Sequence, residues 1–515
     1  MPSGISPVKL PVPTEGVRPD LHRRELGSGA LYQANNWLRR DGRFRVRDGF
    51  ASWSSNVAQR PTAYVQYEHH DRASRIVQAT TTGWWRYSTS TGNWVDITDG
   101  AIPLTGSQVN LGVFRTFPKA TETWLLGVNG KDAPKKWNGL AATYANIGGS
   151  PPAAKAIMSI FDRVLLANLF TGPNISPVAV DVSANKDFDS GWNGGVLTAL
   201  LADSDGEIRA MQEHGSLLGS IYKSDAVYRA IAQAGAAPFR FELVQKDIRG
   251  PASARAVAAI NDGVHVYLAD DGGAYSFDGS GVRLLALHVQ RWIASRAALD
   301  RMGRAWVSWD KARQELWMAY PRVGQIEPSE GVVVTFPGLQ CYPISFTGLT
   351  PTAGVHISVP SGITIGELVG TIGEQQLTIG EYSSLSTPIL LAGHSGGQSY
   401  LNRGTTDAGQ AIPHSWESGQ YDLGSAYRWK TLHEVDHFFA PTPAAQQVTV
   451  KVGAADSGEE PDFDAGQAVD LGAAGPYRTQ HRTTARLLAL RVEGQASQPV
   501  EWGGAEAVAS PRGPR

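Results

Sequence analysis

The sequence predicts an all-β protein built around a β-propeller, and three observations carry that expectation. First, 57 Gly, 30 Pro, 15 Trp and 16 Tyr in 515 residues supply tight turns and half-buried pleated surface in quantity. Second, short strand candidates follow one another with Gly, Asp or Asn at their ends, as hairpins require. Third, one plan recurs in "GWWRYSTSTGNWVDIT" (83–98), "PKKWNGLAATYANIG" (134–148) and "GAYSFDGSGVRLLA" (273–286). Each is an aromatic-ended strand, a small-residue turn and a second short strand, the pattern of a propeller blade. Six or seven such blades fit the length.

In chain order, residues 1–20 read as an extended arm punctuated by proline. Residues 18–50 offer a short helical piece, a turn at Asp41-Gly42 and the strand "RFRVR". Strands then run from "TAYVQYEHH" to "GVVVTF", interrupted by one amphipathic helix, "LHVQRWIASRAALDRM" (287–302). Strands without alternating helices argue against a doubly wound α/β fold. Ile-Gly-Glu recurs at 365–367, 372–374 and 379–381; glycine in every unit argues for a turn-rich loop over a coiled coil. The expected division is an N-terminal arm and assembly segment (1–60), a propeller core (61–440) with a repeat-containing loop near 361–385, and a C-terminal β segment (441–515).

A formal net charge of −2 gives no general attraction to nucleic acid or anionic membrane. The single cysteine, Cys341, excludes an intramolecular disulfide framework and a multi-cysteine zinc site. The N-terminus lacks the apolar core of a secretory signal, and no apolar run reaches the roughly twenty residues that span a bilayer. The expectation is a soluble protein made in a reducing cytoplasm.

Two catalytic motifs compete. "LHEVDH" holds His433, Glu434 and His437 in the zinc-peptidase spacing, and "GHSGG" holds Gly393, Ser395 and Gly397 in the nucleophile-elbow spacing. The first needs a helix and a third ligand. Tyr427, Trp429, Phe438 and Phe439 favour a strand instead, with His433, Val435, His437 and Phe439 on one face. The second needs a helix after Ser395, where "GQSYLNRG" reads as strand and turn. Both matches are read as accidental. "ADSDGE" (202–207) and "LADDGGAYSFDG" (268–279) lack the ligand order of a tight calcium loop and are read as turns. "RRDGRFRVR" (39–47) concentrates positive charge and is an interface or DNA-facing patch if it is not a solvated strand face. No catalytic residue, metal or cofactor is therefore expected.

"ANNWLRRDGRFRVRDGF" (34–50), "LLGVNGKDAPKKWNG" (125–139), "SLLGSIYKSDAVYRAI" (216–231) and "VHVYLADDGGAYSFDGSGVRLL" (264–285) follow one another in an order that resembles tail proteins of short-tailed bacteriophages. The families are the tail tubular protein B or nozzle group and the related phage stabilisation, or tail hub, proteins. The resemblance implies a structural subunit of the virion tail, made in the bacterial cytoplasm and assembled as a hexameric ring below the portal and adaptor. Such a ring continues the DNA exit channel and supports fibres, spikes or a needle. Trp37, Phe44, Arg45 and Arg47, in the opening motif, are the expected assembly interface. The other reading is a propeller-type tail hydrolase or glycan-binding protein acting on the host envelope.

Overall fold

A computed structural model describes residues 7–512, apart from 55, 172–173, 193–198, 235–236, 262, 361–385, 424–427, 457–458 and 474. The Ile-Gly-Glu repeat lies outside the described residues.

The chain is all-β, with seven four-stranded antiparallel units. Blade 1 begins with strand Pro61–Glu68, blade 2 with Val113–Lys119, blade 3 with Ala153–Ile160 and blade 4 with Ile208–Glu213. Blades 5, 6 and 7 begin with Val257–Asn261, Trp306–Asp310 and Pro351–Pro360. These first strands are neighbours in succession, and that of blade 7 lies against that of blade 1, so the ring closes. Closure is fastened by Ala51–Ser52, which precedes blade 1 yet pairs with Ser399–Leu401 as the outer strand of blade 7. Radial repetition leaves each blade's edge short and buries the sheet faces on their neighbours. The three recurring hairpins are the outer strand pairs of blades 1, 2 and 5.

The predicted helix is shorter than the pattern suggested. Leu287–Ala294 is α-helical and buries Val289, Trp292 and Ile293 between blades 5 and 6; Leu299–Arg304 is a 3-10 segment. The helical piece expected before residue 34 is replaced by turns and strand Ala30–Asn35. Gly27, Ser28 and Gly29 at that point break the helical run.

The segment expected as an arm is part of a second body. Trp37–Arg40, Arg43–Val46, Glu501–Pro511, Lys430–Phe439 and Tyr477–Ala485 form one sheet, with Val8–Leu10 paired to Glu501–Pro511. Gly16–Val17, Ala30–Asn35, Gln410–Ser418, Leu487–Ala496 and Gln447–Ala455 form the opposing sheet. Aromatic rings lock the two together: Trp37 stacks on Phe44 at 4.9 Å, Phe44 meets Trp416 at 6.1 Å and Trp416 meets Trp502 at 4.6 Å. The chain thus divides into a sandwich made from both ends and a propeller (51–401) inserted between them, rather than at residues 60 and 440.

The second sheet does not stop at the sandwich. Gly16 pairs in parallel with Cys341 of the last strand in blade 6, making one twelve-stranded sheet. Only glycine serves there: φ is +71°, and a Cβ would lie 2.7 Å from the Cys341 carbonyl oxygen. A single hydrophobic cluster accordingly runs from Trp306, Trp317 and Tyr342 in blade 6 to Trp37, Trp416 and Val492 in the sandwich.

Candidate functional site

Three of the four expected interface residues are internal. Trp37 and Phe44 are fully buried in the sandwich, and Trp37 Nε1 donates to His414 Nδ1 at 3.2 Å. Arg47 is buried at the junction of the two bodies. Its Nε donates to Asn36 Oδ1 (2.8 Å), Nη1 to the Asp48 carbonyl and Asp407 Oδ1 (both 2.9 Å), and Nη2 to the Ser345 carbonyl (2.6 Å) and Asp407 Oδ2. All five donors of the guanidinium are used inside the chain. Arg45 alone is partly exposed, 3.9 Å from Glu501 and 4.0 Å from Asp48. The physical reason is that β alternation sends Phe44 and Val46 into the core, while Arg47 follows the strand into the joint.

Two further arginines of the basic run are ion-paired within the chain. Arg40 forms a bidentate pair with Glu315 of blade 6, both contacts at 2.7 Å, and a further one with Asp48 at 2.7 Å. Arg43 pairs with Glu501 at 2.9 Å. Arg40 thus fastens the sandwich to the propeller, whereas Arg43 pairs within the sandwich and keeps its side chain largely exposed.

His433, Glu434 and His437 lie on a strand, as the aromatic flanks predicted, but not with both histidines on one face. A bulge between Leu432 and Glu434 inserts His433 as an extra residue. His433 is exposed and bonds the Ser510 hydroxyl at 2.7 Å, while Val435, His437 and Phe439 point inward. Among the described residues no three His, Cys, Asp or Glu side chains converge to hold a metal.

His437 belongs to a different line that sequence spacing does not reveal. Its Nε2 lies 3.0 Å from Thr479 Oγ1, which lies 2.9 Å from His481 Nε2; His481 Nδ1 in turn lies 2.8 Å from Asp464. The Asp464 carboxylate accepts from His481 Nδ1. In the neutral tautomer His481 Nε2 then accepts from Thr479, whose oxygen accepts from His437. The connectivity is that of an Asp-His-hydroxyl relay, yet Thr479 is 1% exposed and its oxygen sits between two imidazoles. Burial, then the neighbouring His481, push His437 down to about 3. The line is a polar seam inside the sandwich in which the His437 Nδ1 is left without a partner.

Ser395 occupies the turn between the second and third strands of blade 7, with its hydroxyl 2.6 Å from that of Thr350 and no helix after it. In 202–207, Lys223 Nζ donates to the Leu201 and Ser204 carbonyls at 2.7 and 2.6 Å, so an ammonium stands where a calcium loop would place its ion. In 268–279, Asp271 and Asp278 accept from the backbone amides of Gly273 and Ser280, as turn residues do.

Side chains bond across the propeller axis. Arg115 of blade 2 donates to the Met211 carbonyl at 2.9 Å and the Gln212 side chain at 2.8 Å in blade 4. Arg255, before blade 5, donates to the carbonyls of Thr62 in blade 1 and Thr352 in blade 7, both at 2.7 Å. A cleft of about 810 Å³ lies on the sandwich, lined by Phe438, Pro441, Pro476, Tyr477 and Trp502 with Arg43 and Glu501. Phe438 is half exposed in it.

No family model and no curated protein matches the chain. Among solved structures, the crystal structure of Chaetomium thermophilum Raptor matches 69% of this chain and 28% of that one, at 9% identity and a TM-score of 0.41. The chain therefore spans less than a third of that protein's length, and the likeness bears on no function.

Proposed function

We propose that this chain is a structural subunit of a short-tailed bacteriophage tail, of the nozzle or hub kind. It assembles as a ring below the portal and adaptor, continues the DNA exit channel and carries fibres, spikes or a needle. One observation supports this reading: propeller and sandwich share a sheet, a core and buried ion pairs, so the chain is a single rigid block suited to tiling. With the blade axis crossed by Arg115 and Arg255, DNA passes through the lumen of the ring, between subunits. A head-to-tail ring pairs unlike surfaces. The cleft around Phe438 is one such surface, in place of the interior residues of the opening motif.

The test is the solution mass of the purified chain, alone and with its portal and adaptor, with metal determined on the same sample. Six copies of the 55.2 kDa chain give a ring of about 330 kDa. A ring without stoichiometric zinc supports the proposal. A persistent monomer with one zinc per chain, lost in His433→Ala, overturns it in favour of an enzyme.

A further inference from the structure

The twelve-stranded sheet has a gap where the two bodies meet. Gly16–Val17 is two residues long, yet it is the strand that joins Gln340–Ser345 of blade 6 to Ala30–Asn35 of the sandwich. Its ladder reaches Leu31 on one side and Cys341 on the other, and stops. Beyond it the two longer strands form no ladder with each other among the described residues. The Asn36 amide reaches the Pro343 carbonyl at 2.9 Å, and the Asn35 side-chain amide reaches the Ser345 hydroxyl at 3.0 Å. A cleft of about 280 Å³ opens there, walled by Gln33, Asn35 and Ser415 on the sandwich and by Trp292, Arg296 and the Arg322–Glu330 pair on the propeller.

The propeller wall carries a free cation. Arg296 uses its backbone in full: its amide donates to the Ile293 carbonyl at 3.0 Å, and its carbonyl accepts from Val323 at 2.9 Å. What it offers the cleft is the guanidinium, laid over the Trp292 ring at 4.0 Å. Stacking fixes the plane of the guanidinium and leaves its N–H edge available. Among the described residues no acceptor bonds that edge, and none of its nitrogens is buried. Arg322 differs, since it pairs with Glu330 at 3.2 Å; the cleft holds two cations against one carboxylate. The sandwich wall has the opposite character. Gln33 Nε2 donates to Glu417 at 3.0 Å and Asn35 Nδ2 to Ser345, so each side chain presents its amide oxygen. Those two oxygens and the Ser415 hydroxyl have no partner among the described residues and are open as well. Amide oxygens accept only, so they repel an anion and take O–H donors. One wall thus suits negative charge and the other suits hydroxyls. The volume falls just below the roughly 300–1,000 Å³ of pockets for drug-sized ligands, which fits a single sugar ring.

We infer that this cleft binds an acidic monosaccharide, a hexuronate or a sugar phosphate, with its anionic group on Arg296 and its hydroxyls on Gln33, Asn35 and Ser415. Nothing in this assignment depends on the tail reading.

The experiment is titration calorimetry with thermal melting on the full chain at low ionic strength. Glucuronate and glucose 6-phosphate are the probes, and glucose and sodium acetate are the controls, at matched ionic strength. Measurable heat and a rise in Tm are expected with a Kd on the order of a millimolar, as suits so small a ligand. Glucuronate alone acting assigns a carboxylate, glucose 6-phosphate alone assigns a phosphate, and both acting supports the shared chemistry. Arg296→Met keeps the apolar cover of Trp292 and weakens binding about tenfold or more, as the loss of a forked, charge-assisted pair does. Arg296→Lys keeps the charge without the fork, weakens binding too, and serves where Arg296→Met does not fold. Ser415→Ala weakens binding of the sugar acid about threefold. No response, a response matched by acetate or by uncharged glucose, or indifference to substitution at either position overturns the assignment.

Discussion

Replacing Arg47 with Met tests what holds the two bodies together. The guanidinium makes five internal bonds, and Asp407, its partner, is fully buried. After Arg47→Met the Asp407 carboxylate keeps only the backbone amide of Thr347, at 3.1 Å, and the Ser345 carbonyl loses a charged donor. An uncompensated buried charge of this kind costs about 3–5 kcal/mol. Arg47→Met with Asp407→Leu removes both charges and leaves an apolar pair, so its cost should fall short of the sum of the singles by about 2–3 kcal/mol. Urea unfolding followed by far-UV circular dichroism and tryptophan fluorescence reads the difference as a shift in midpoint at constant slope. The two probes should coincide, because Trp317 and Trp416 belong to one cluster spanning both bodies. A single substitution costing less than about 1 kcal/mol, or a double mutant equal to the sum, would refute the role given to this pair.

Deleting residues 1–46 should abolish folding, since it removes strands from both sheets of the sandwich; retention of a protease-resistant propeller with native circular dichroism would restore the arm reading. Burial holds His265, His356 and His437 near pKa 3 and His414 near 4. Their unfolded counterparts titrate near 6.5, so below that pH the unfolded chain binds protons that the folded chain refuses. Stability present above about pH 6.5 should fall by up to about 1.4 kcal/mol per pH unit per ring as pH drops toward 4. His356→Asn should reduce that slope by about one proton, and an unchanged slope in urea titrations at pH 7, 6 and 5 would contradict it. Cys341 is buried, with its thiol pushed far up by burial, and should ignore a thiol reagent until urea unfolds the chain; prompt native reaction would deny the pairing of Gly16 over it. Phe438→Asp should leave the monomer's melting unchanged and prevent the ring, because Phe438 is half exposed in the sandwich cleft; an intact ring would place the interface elsewhere.

The propeller was legible because its evidence is local. Each outer hairpin, such as Trp84–Ser88 with Asn93–Asp96, carries its aromatics and its turn within some fifteen residues. The sandwich was not, because its pairings join the ends of the chain. Arg45 lies opposite Glu501, and Val8 opposite Ala507, so neither segment alone shows a hairpin, and prolines with arginines made the first look unpaired. The same gap misplaced the site residues. "RRDGRFRVR" reads as a surface patch until Glu315, Asp407 and Glu501 arrive from elsewhere to pair with Arg40, Arg47 and Arg43.

His433 shows a subtler limit. Strand alternation predicts that it shares a face with His437, and the strand is there, but one inserted residue at the bulge reverses the phase between them. A single-residue irregularity leaves little trace in composition, yet it decides whether two histidines can meet at one ion. The axis makes the complementary case. Arg60, Arg255 and Arg304 are ordinary arginines in loop sequence, dispersed over some 240 residues, and only the ring closure of first strands brings them together. A propeller therefore hides such a cluster, in which Arg60 and Arg304 share Glu327 and Arg255 reaches the Arg304 carbonyl, from any reading of local windows.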